Sequence, residues 1–254
     1  TAPHYLLNAG TEFGYRNVRG YNPLNPARWN AFLEAAEGSP PREGGISSLI
    51  DDPTEPMLTL LAPTLQVTSG LRSPDRFVLR YQDRLRKLRV YQDRWARPRA
   101  WLTGTVRLEP DARAVLKTTR EVALERPPPL VLEAVYAPAG TIDPGAAMSS
   151  SVRWLEDGRD VLRLQVDATG PVALVVADGF APGWSATVDD RPAPILPAYH
   201  ALRAVVIPEA GLHRVVFRYQ TPGLQAGATV SALSLITLGL SGLAAWRRRA
   251  PLAG

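Results

Sequence analysis

The sequence predicts an α+β fold that is mainly β: an antiparallel, jelly-roll-like β-sandwich, a smaller mixed α/β region before it, and one C-terminal transmembrane helix. Three observations carry this. From residue 152 onward, turn signals recur every eight to twelve residues between short apolar runs, the spacing of a sandwich. Pro 24 and Gly 20 are spread through the 254 residues, which suits short strands and turns better than long helices. Residues 224–246, LQAGATVSALSLITLGLSGLAAW, are 23 positions without Asp, Glu, Lys, Arg or His. The expected division is therefore a mixed region over 1–98, a sandwich over 99–222, a span over 224–246 and a tail over 247–254.

The elements follow in order. Residues 25–38 read as a helix, with Asn25 able to cap, Pro26 in the first turn and Gly38 at the stop. Trp29, Phe32, Leu33 and Ala36 fall at i, i+3, i+4 and i+7, one apolar stripe. After the loop 39–45, a short helix is expected over 56–61 and a strand over 65–68. The stretch 76–101 contains YQDR twice and alternates apolar with polar residues at Phe77, Leu79, Tyr81 and at Leu88, Val90, the pattern of a hairpin. Residues 111–122 read as a short helix, and 125–135 as a proline-stiffened turn running into a strand. Strands are then expected near 152–156, 160–167, 171–178, 184–189, 194–198, 201–207 and 212–219, with those near 100–107 and 130–136 joining them. Turns are marked by Asp157-Gly158, Thr169-Gly170 and Asp190-Arg191. Alternation is visible in Val161, Leu162, Leu164, Val166 and in Leu212, Val215, Phe217, Tyr219.

A 23-residue helix is about 34 Å long, enough to cross a bilayer core of about 30 Å with some tilt. Trp246 is an interfacial aromatic, and Arg247, Arg248 and Arg249 behind it are expected to stay cytoplasmic. The first ten residues, TAPHYLLNAG, have neither the basic nor the apolar part of a signal peptide. Two topologies follow. In the favoured one the chain is the C-terminal piece of a multi-pass cell-membrane protein whose upstream helices deliver residues 1–223 to the outer face. In the other it is tail-anchored, with its body in the cytoplasm. Gly239, Ser241 and Gly242 are small enough to let another helix approach closely, which fits the first.

The net charge of +5 does not indicate a nucleic-acid partner, since three of the arginines are in the tail. The absence of Cys excludes disulfides and thiolate metal sites. His4, His200 and His213 are scattered, the pairs Asp51-Asp52 and Asp189-Asp190 lack ligand spacing, and no metal or cofactor is implied. Gly10, Gly14 and Gly20 do not make a dinucleotide fingerprint, and neither a phosphate loop nor a G-x-S-x-G elbow occurs. No catalytic residue is assigned. Trp184, Tyr199 and His200 are the candidate substrate-binding residues, as an aromatic platform for a sugar ring, or else as packing at the end of the sandwich. Arg84, Arg86, Lys87, Arg89, Arg94, Arg97 and Arg99 make a basic, aromatic-interleaved surface suited to lipid or polyprenyl phosphates, or else a solvated strand face.

The segment DGFAPGWSATVDDRPAPILPAYHALRAVVIPEAGLHRVVFRYQTPG, followed at once by the span, resembles the C-terminal end of the YfhO-like bacterial membrane proteins. It carries Pro182-Gly183-Trp184, Val188-Asp189-Asp190, Leu202-Arg203-Ala204-Val205 and the strand from Gly211 through His213, Val215 and Phe217 to Tyr219. The stretches 19–33, RGYNPLNPARWNAFL, and 90–101, VYQDRWARPRAW, are similar to earlier parts of that family. Arg97 replaces its usual Leu and Asp190 its usual Gly. The resemblance implies an extracytoplasmic piece of a polytopic glycosyltransferase that takes sugars from polyprenyl-phosphate carriers and decorates cell-envelope polymers. In such enzymes the catalytic acids belong to the first extracytoplasmic loop, which this chain does not contain. The alternative is a tethered carbohydrate-binding or scaffold domain without transfer activity.

Overall fold

The computed structural model describes residues 26–37 and 55–249. His4, Gly10, Gly14, Gly20, Asn25, Gly38, the loop 39–45, the Asp51-Asp52 pair and the first half of the 19–33 resemblance lie outside the described residues.

The first helix, α1, is Ala27–Glu37, and its apolar stripe is the buried side: Phe32, Leu33 and Ala36 are at most 3% exposed. A 3₁₀ turn, Pro56–Leu61, follows. Strands β1 (Leu65–Thr68), β2 (Phe77–Asp83) and β3 (Leu88–Asp93) form a three-stranded antiparallel sheet with β3 in the middle. The hairpin expected over 76–101 is thus β2–β3, with a third strand alongside. Strand β4 is Ala100–Thr103 and β5 is Val106–Glu109. Helix α2, Ala112–Val122, starts where Asp111 accepts a hydrogen bond from the Ala114 amide at 2.8 Å. It buries Val115, Thr118, Thr119 and Val122, the i, i+3, i+4, i+7 face.

Strand β6, Leu130–Glu133, does not join the sandwich as expected. It pairs in parallel with β5, Val106 opposite Leu130. A parallel pair needs a crossover, and α2 supplies it. A 3₁₀ turn at Ala134–Tyr136 and the short helix α3, Pro144–Ser149, precede the main β region.

Eight strands then follow: β7 (Ser151–Asp157), β8 (Val161–Ala168), β9 (Val172–Gly179), β10 (Trp184–Val188), β11 (Arg191–Ala193), β12 (Leu196–Ala198), β13 (Leu202–Ile207) and β14 (Gly211–Tyr219). They form a five-stranded sheet, β11-β10-β14-β8-β7, and, with β4, a four-stranded sheet, β12-β13-β9-β4. Every pairing in both is antiparallel. The strand expected near 194–198 is β12, and β11 is an additional one before it: β11 pairs with β10, β12 with β13, and the chain changes sheets at Pro194 and Ile195. Pro192 and Pro197 are tolerated because both strands are sheet edges, where a missing N–H costs no ladder bond.

Two cores share the four-stranded sheet. On one face, Leu102, Leu174, Val176, Val205 and Ile207 meet Leu162, Leu164, Val166, Val215 and Phe217 of the five-stranded sheet. On the other, Trp101, Ala173, Val175, Leu202 and Ala204 meet Phe32, Met57, Leu60, Val115, Leu130 and Leu132 of the α/β layer. The residue pattern follows. Strand β9 is buried on both sides and reads as the unbroken run VALVVA, whereas β8 faces solvent on one side and alternates. On β14 the inward residues are Val215 and Phe217, and Leu212, of opposite parity, points outward at 65% exposure. Its place in the expected alternation is therefore corrected.

The last element is helix α4, Leu224–Arg249, and the first eighteen of its residues are long and apolar enough to cross a membrane. None of that stretch is buried against the body. The hydroxyls of Thr229, Ser234, Thr237 and Ser241 each donate to the carbonyl four residues back at 2.8–2.9 Å, so these polar groups are satisfied within the helix itself.

Candidate functional site

The chain enters the sandwich and leaves it at the same end. Strand β9 finishes at Gly179, and the loop 180–183 turns into β10 through Pro182-Gly183-Trp184. Gly183 has φ +94°, and a Cβ there would sit 2.5 Å from the Gln220 carbonyl oxygen, so glycine is required on both counts. The Gln220 amide donates to the Gly183 carbonyl at 2.9 Å, strapping this turn to the residues that lead into α4. Trp184 is paired with Tyr219 across β10–β14, ring centroids 5.3 Å apart.

Beneath the turn is a charged network. Asp178 accepts from Arg99 at 2.8 Å (Nε to Oδ1) and 2.6 Å (Nη2 to Oδ2), and from Arg203 Nη2 at 2.8 Å. Arg99 also donates to Asp157 at 2.8 Å. Each guanidinium is roofed by an indole: Arg203 lies 3.8 Å from the Trp184 ring centre, and Arg99 lies 4.5 Å from that of Trp154. Burial opposes the charge on Arg99, but the hydrogen bonds to Asp178 and then Asp157 outweigh it and hold its pKa above the ordinary guanidinium value. These bonds make Arg203, at 3% exposure, a paired buried charge rather than an isolated one.

On its open side Trp184 lines a shallow cavity of about 390 Å³, with Phe180, Pro182, Ser185, Pro192 and Ile195 among its walls. The walls are mostly apolar and aromatic, and the volume lies in the range of about 300–1,000 Å³ typical of small-molecule sites. With one indole face taken by Arg203, only the remaining surface of Trp184 is free to stack on a ligand.

The other two platform residues are elsewhere. Tyr199 is fully buried, packs on Trp101 at 6.2 Å between ring centres, and donates its hydroxyl to the Pro128 carbonyl. Desolvation pushes its phenol pKa well up, so it stays neutral. His200 lies in a separate cluster with Arg28, Glu133 and Tyr136. Arg28 Nη1 donates to Glu133 at 2.7 Å and to His200 Nδ1 at 3.0 Å, while its Nη2 donates to the Tyr136 hydroxyl at 3.2 Å. An arginine cannot accept, so in this contact Nδ1 of a neutral His200 is the acceptor, and Glu133 Oε1 lies 3.5 Å from the same nitrogen. Burial lowers the His200 pKa, the Arg28 charge lowers it further, and Glu133 only partly offsets both. Tyr199 and His200 both hold positive φ, 51° and 71°, in the turn between β12 and β13. The Tyr199 amide donates to the Val131 carbonyl at 2.9 Å, which ties that turn to β6. The cluster contains no free nucleophile and its polar atoms bind one another. It fastens α1, β6 and the β12–β13 turn together.

A pH prediction follows from His200. The unfolded chain takes up its imidazole proton near pH 6.5, whereas the folded chain resists it. Stability is thus fully held above that value and declines as the pH falls through it. Thermal unfolding from about pH 7.5 to about pH 5 should show that decline, and His200→Gln should flatten it. An unchanged pH slope in the variant would remove His200 from the account.

Asp189 and Asp190 occupy the two-residue β10–β11 turn with φ 50° and 63°. Asp189 accepts from the Arg214 amide at 2.8 Å and contacts His213 at 2.6 Å. The first of these lowers its pKa most. Among the described residues no group of three or more His, Cys, Asp or Glu could hold a metal ion. Two members of the basic surface leave it: Arg97 is 7% exposed, with Nη2 donating to the Ala123 and Glu125 carbonyls after α2, and Arg99 belongs to the Asp178 network. Trp246, Arg247, Arg248 and Arg249 are in the last turns of α4, and their side chains lie outside the described residues.

Sequence reading missed Arg28, Glu133, Asp178 and Phe180. A single Asp at the end of an apolar strand, and an Arg inside LRAVV, are the only local signals of the buried network. Comparison of the chain with family profiles, curated proteins and solved structures finds no match.

Proposed function

We propose that this chain is the extracytoplasmic, β-rich C-terminal region of a YfhO-like integral membrane protein that acts on lipid-linked sugars in cell-envelope glycosylation. Its part is to stand over the membrane and shape the acceptor side of a site formed by other helices. The supporting observation is the junction. Strand β14 ends at Tyr219, the Pro182-Gly183-Trp184 turn is strapped to Gln220, and an unburied apolar helix starts at Leu224. Two of the segments that carry the family resemblance, the Pro182-Gly183-Trp184 turn and the end of the Gly211–Tyr219 strand, meet at this place.

The chain has no Cys, so single thiols report topology cleanly. In intact cells a membrane-impermeant maleimide is expected to label Asp167→Cys, on an exposed position of β8, and to reach Ala250→Cys only after permeabilisation. The reverse pattern would overturn the reading.

A second reading is a tethered carbohydrate-binding domain, favoured by the open Trp184 cavity. It predicts glycan-array binding by the isolated protein that Trp184→Ala abolishes, whereas a supporting region of an enzyme binds no glycan by itself.

A further inference from the structure

The three-stranded sheet carries charge and apolar surface that neither core uses. Over residues 65–95 there are eight Lys or Arg against three Asp, a surplus of five that equals the net charge of the whole chain. Part of one face of the sheet is covered: Phe77, Tyr91 and Asp93 are at most 5% exposed, Asp93 holds the buried Arg76 at 2.6 Å, and Arg76 lies over the rings of Phe77 and Trp95. The register puts Leu65, Val67, Val78, Tyr81, Leu88 and Val90 together on the opposite face. Leu65 is 58%, Val67 50% and Tyr81 56% exposed there. Arg80 borders this face through its bond to Gln92 at 2.8 Å. At the hairpin tip, Leu85 is 97% exposed between Arg84 and the Arg86-Lys87 pair. Arg84, Lys87 and Arg94 have no acidic partner among the described residues.

We propose that this face and the hairpin tip dock on an anionic lipid surface, with Leu85 entering the interface and the surrounding cations meeting headgroup phosphates. A basic rim around an apolar surface is what such an interface selects. A second copy of the chain would bring the same positive charge and be repelled. Placement agrees. The chain leaves β3 at Asp93 and, within a reach of about 20 Å, arrives at Arg99. Arg99 binds Asp178, Asp178 binds Arg203, Arg203 stacks on Trp184, and Trp184 packs on Tyr219, just before the apolar helix. The sheet therefore hangs from the end of the sandwich at which α4 departs. The inference uses the membrane-tether part of the reading above and not its glycosylation part.

The full chain, reconstituted in nanodiscs, tests it. A nitroxide at Leu85→Cys is expected to show a several-fold rise in its oxygen-to-nickel-chelate accessibility ratio when phosphatidylglycerol is added to phosphatidylcholine. A label at Asp167→Cys should remain aqueous in both. Arg84→Glu, Arg86→Glu and Lys87→Glu together should abolish the rise, as should salt of about 1 M, where the Debye length is about 3 Å. An equal ratio in both lipids overturns the proposal. So does a response to soluble heparin without one to phosphatidylglycerol, or protection of Leu85 already present in detergent, where a segment of the chain itself would be the cover. A label at Leu235→Cys decides the tether separately, since an aqueous signal there sinks the span whatever Leu85 reports.

Discussion

Replacing Asp178 with alanine is expected to destabilise the protein by about 3–5 kcal/mol, the cost of leaving a buried charge without its partner. The side chain is mostly buried and accepts bonds from two guanidiniums, one of them only 3% exposed. The substitution leaves Arg203 pinned under Trp184 without that carboxylate, and Arg99 with only the outer one. Asp157→Ala is the control: that carboxylate is 43% exposed, so its loss should cost no more than about 1 kcal/mol. Denaturant unfolding followed by tryptophan fluorescence measures both, with Trp154 and Trp184 adjacent to the site. A loss below about 1 kcal/mol for Asp178→Ala would mean that water reaches the network and that it does not hold the sandwich end together.

Leu174→Ala should cost about 2–5 kcal/mol, the range for truncating a fully buried leucine where neighbours cannot collapse into the gap. Leu174 is in the middle of β9, opposite Leu102 of β4 on one side and Val205 of β13 on the other, and its side chain is at 0% exposure in the sandwich core. The informative comparison is Leu212→Ala on β14, the same deletion at 65% exposure, expected within about 0.5 kcal/mol of no change. Equal effects at the two positions would show that β14 is registered one residue differently, turning Leu212 inward.

The local elements were legible because their signals are local. Asp111 before a 3.6-residue pattern, Pro56 at the head of a short turn, paired YQDR runs and evenly spaced turn residues each act within a few positions of themselves. What could not be read depends on partners far along the chain. The run VALVVA identifies a strand but not that helices cover its second face. Leu130–Glu133 looks like any apolar strand, and its parallel pairing depends on α2 returning it beside β5. The site divided in the same way. The turn that positions Trp184 was legible because Pro-Gly precedes an aromatic. Tyr199 and His200 looked available because a polar-tipped pair next to Ala and Pro resembles a loop, whereas both are drawn inward by β6 and Arg28. Arg97 and Arg99 were counted with the exposed cations because their partners, the Ala123 carbonyl and Asp178, are 26 and 79 residues away.

The central sheet owned jointly by two cores has a practical consequence. The stretch 99–222 looks in sequence like a portable module, but cutting it out would remove Phe32, Leu33, Met57 and Leu60 and open part of the apolar core that Trp101, Val175 and Leu202 share with Val115, Leu130 and Leu132. Expressed alone, it should aggregate unless the helices of the earlier segment are supplied with it, even as a separate polypeptide. Engineering of this protein is therefore better planned around its loops than around that seam.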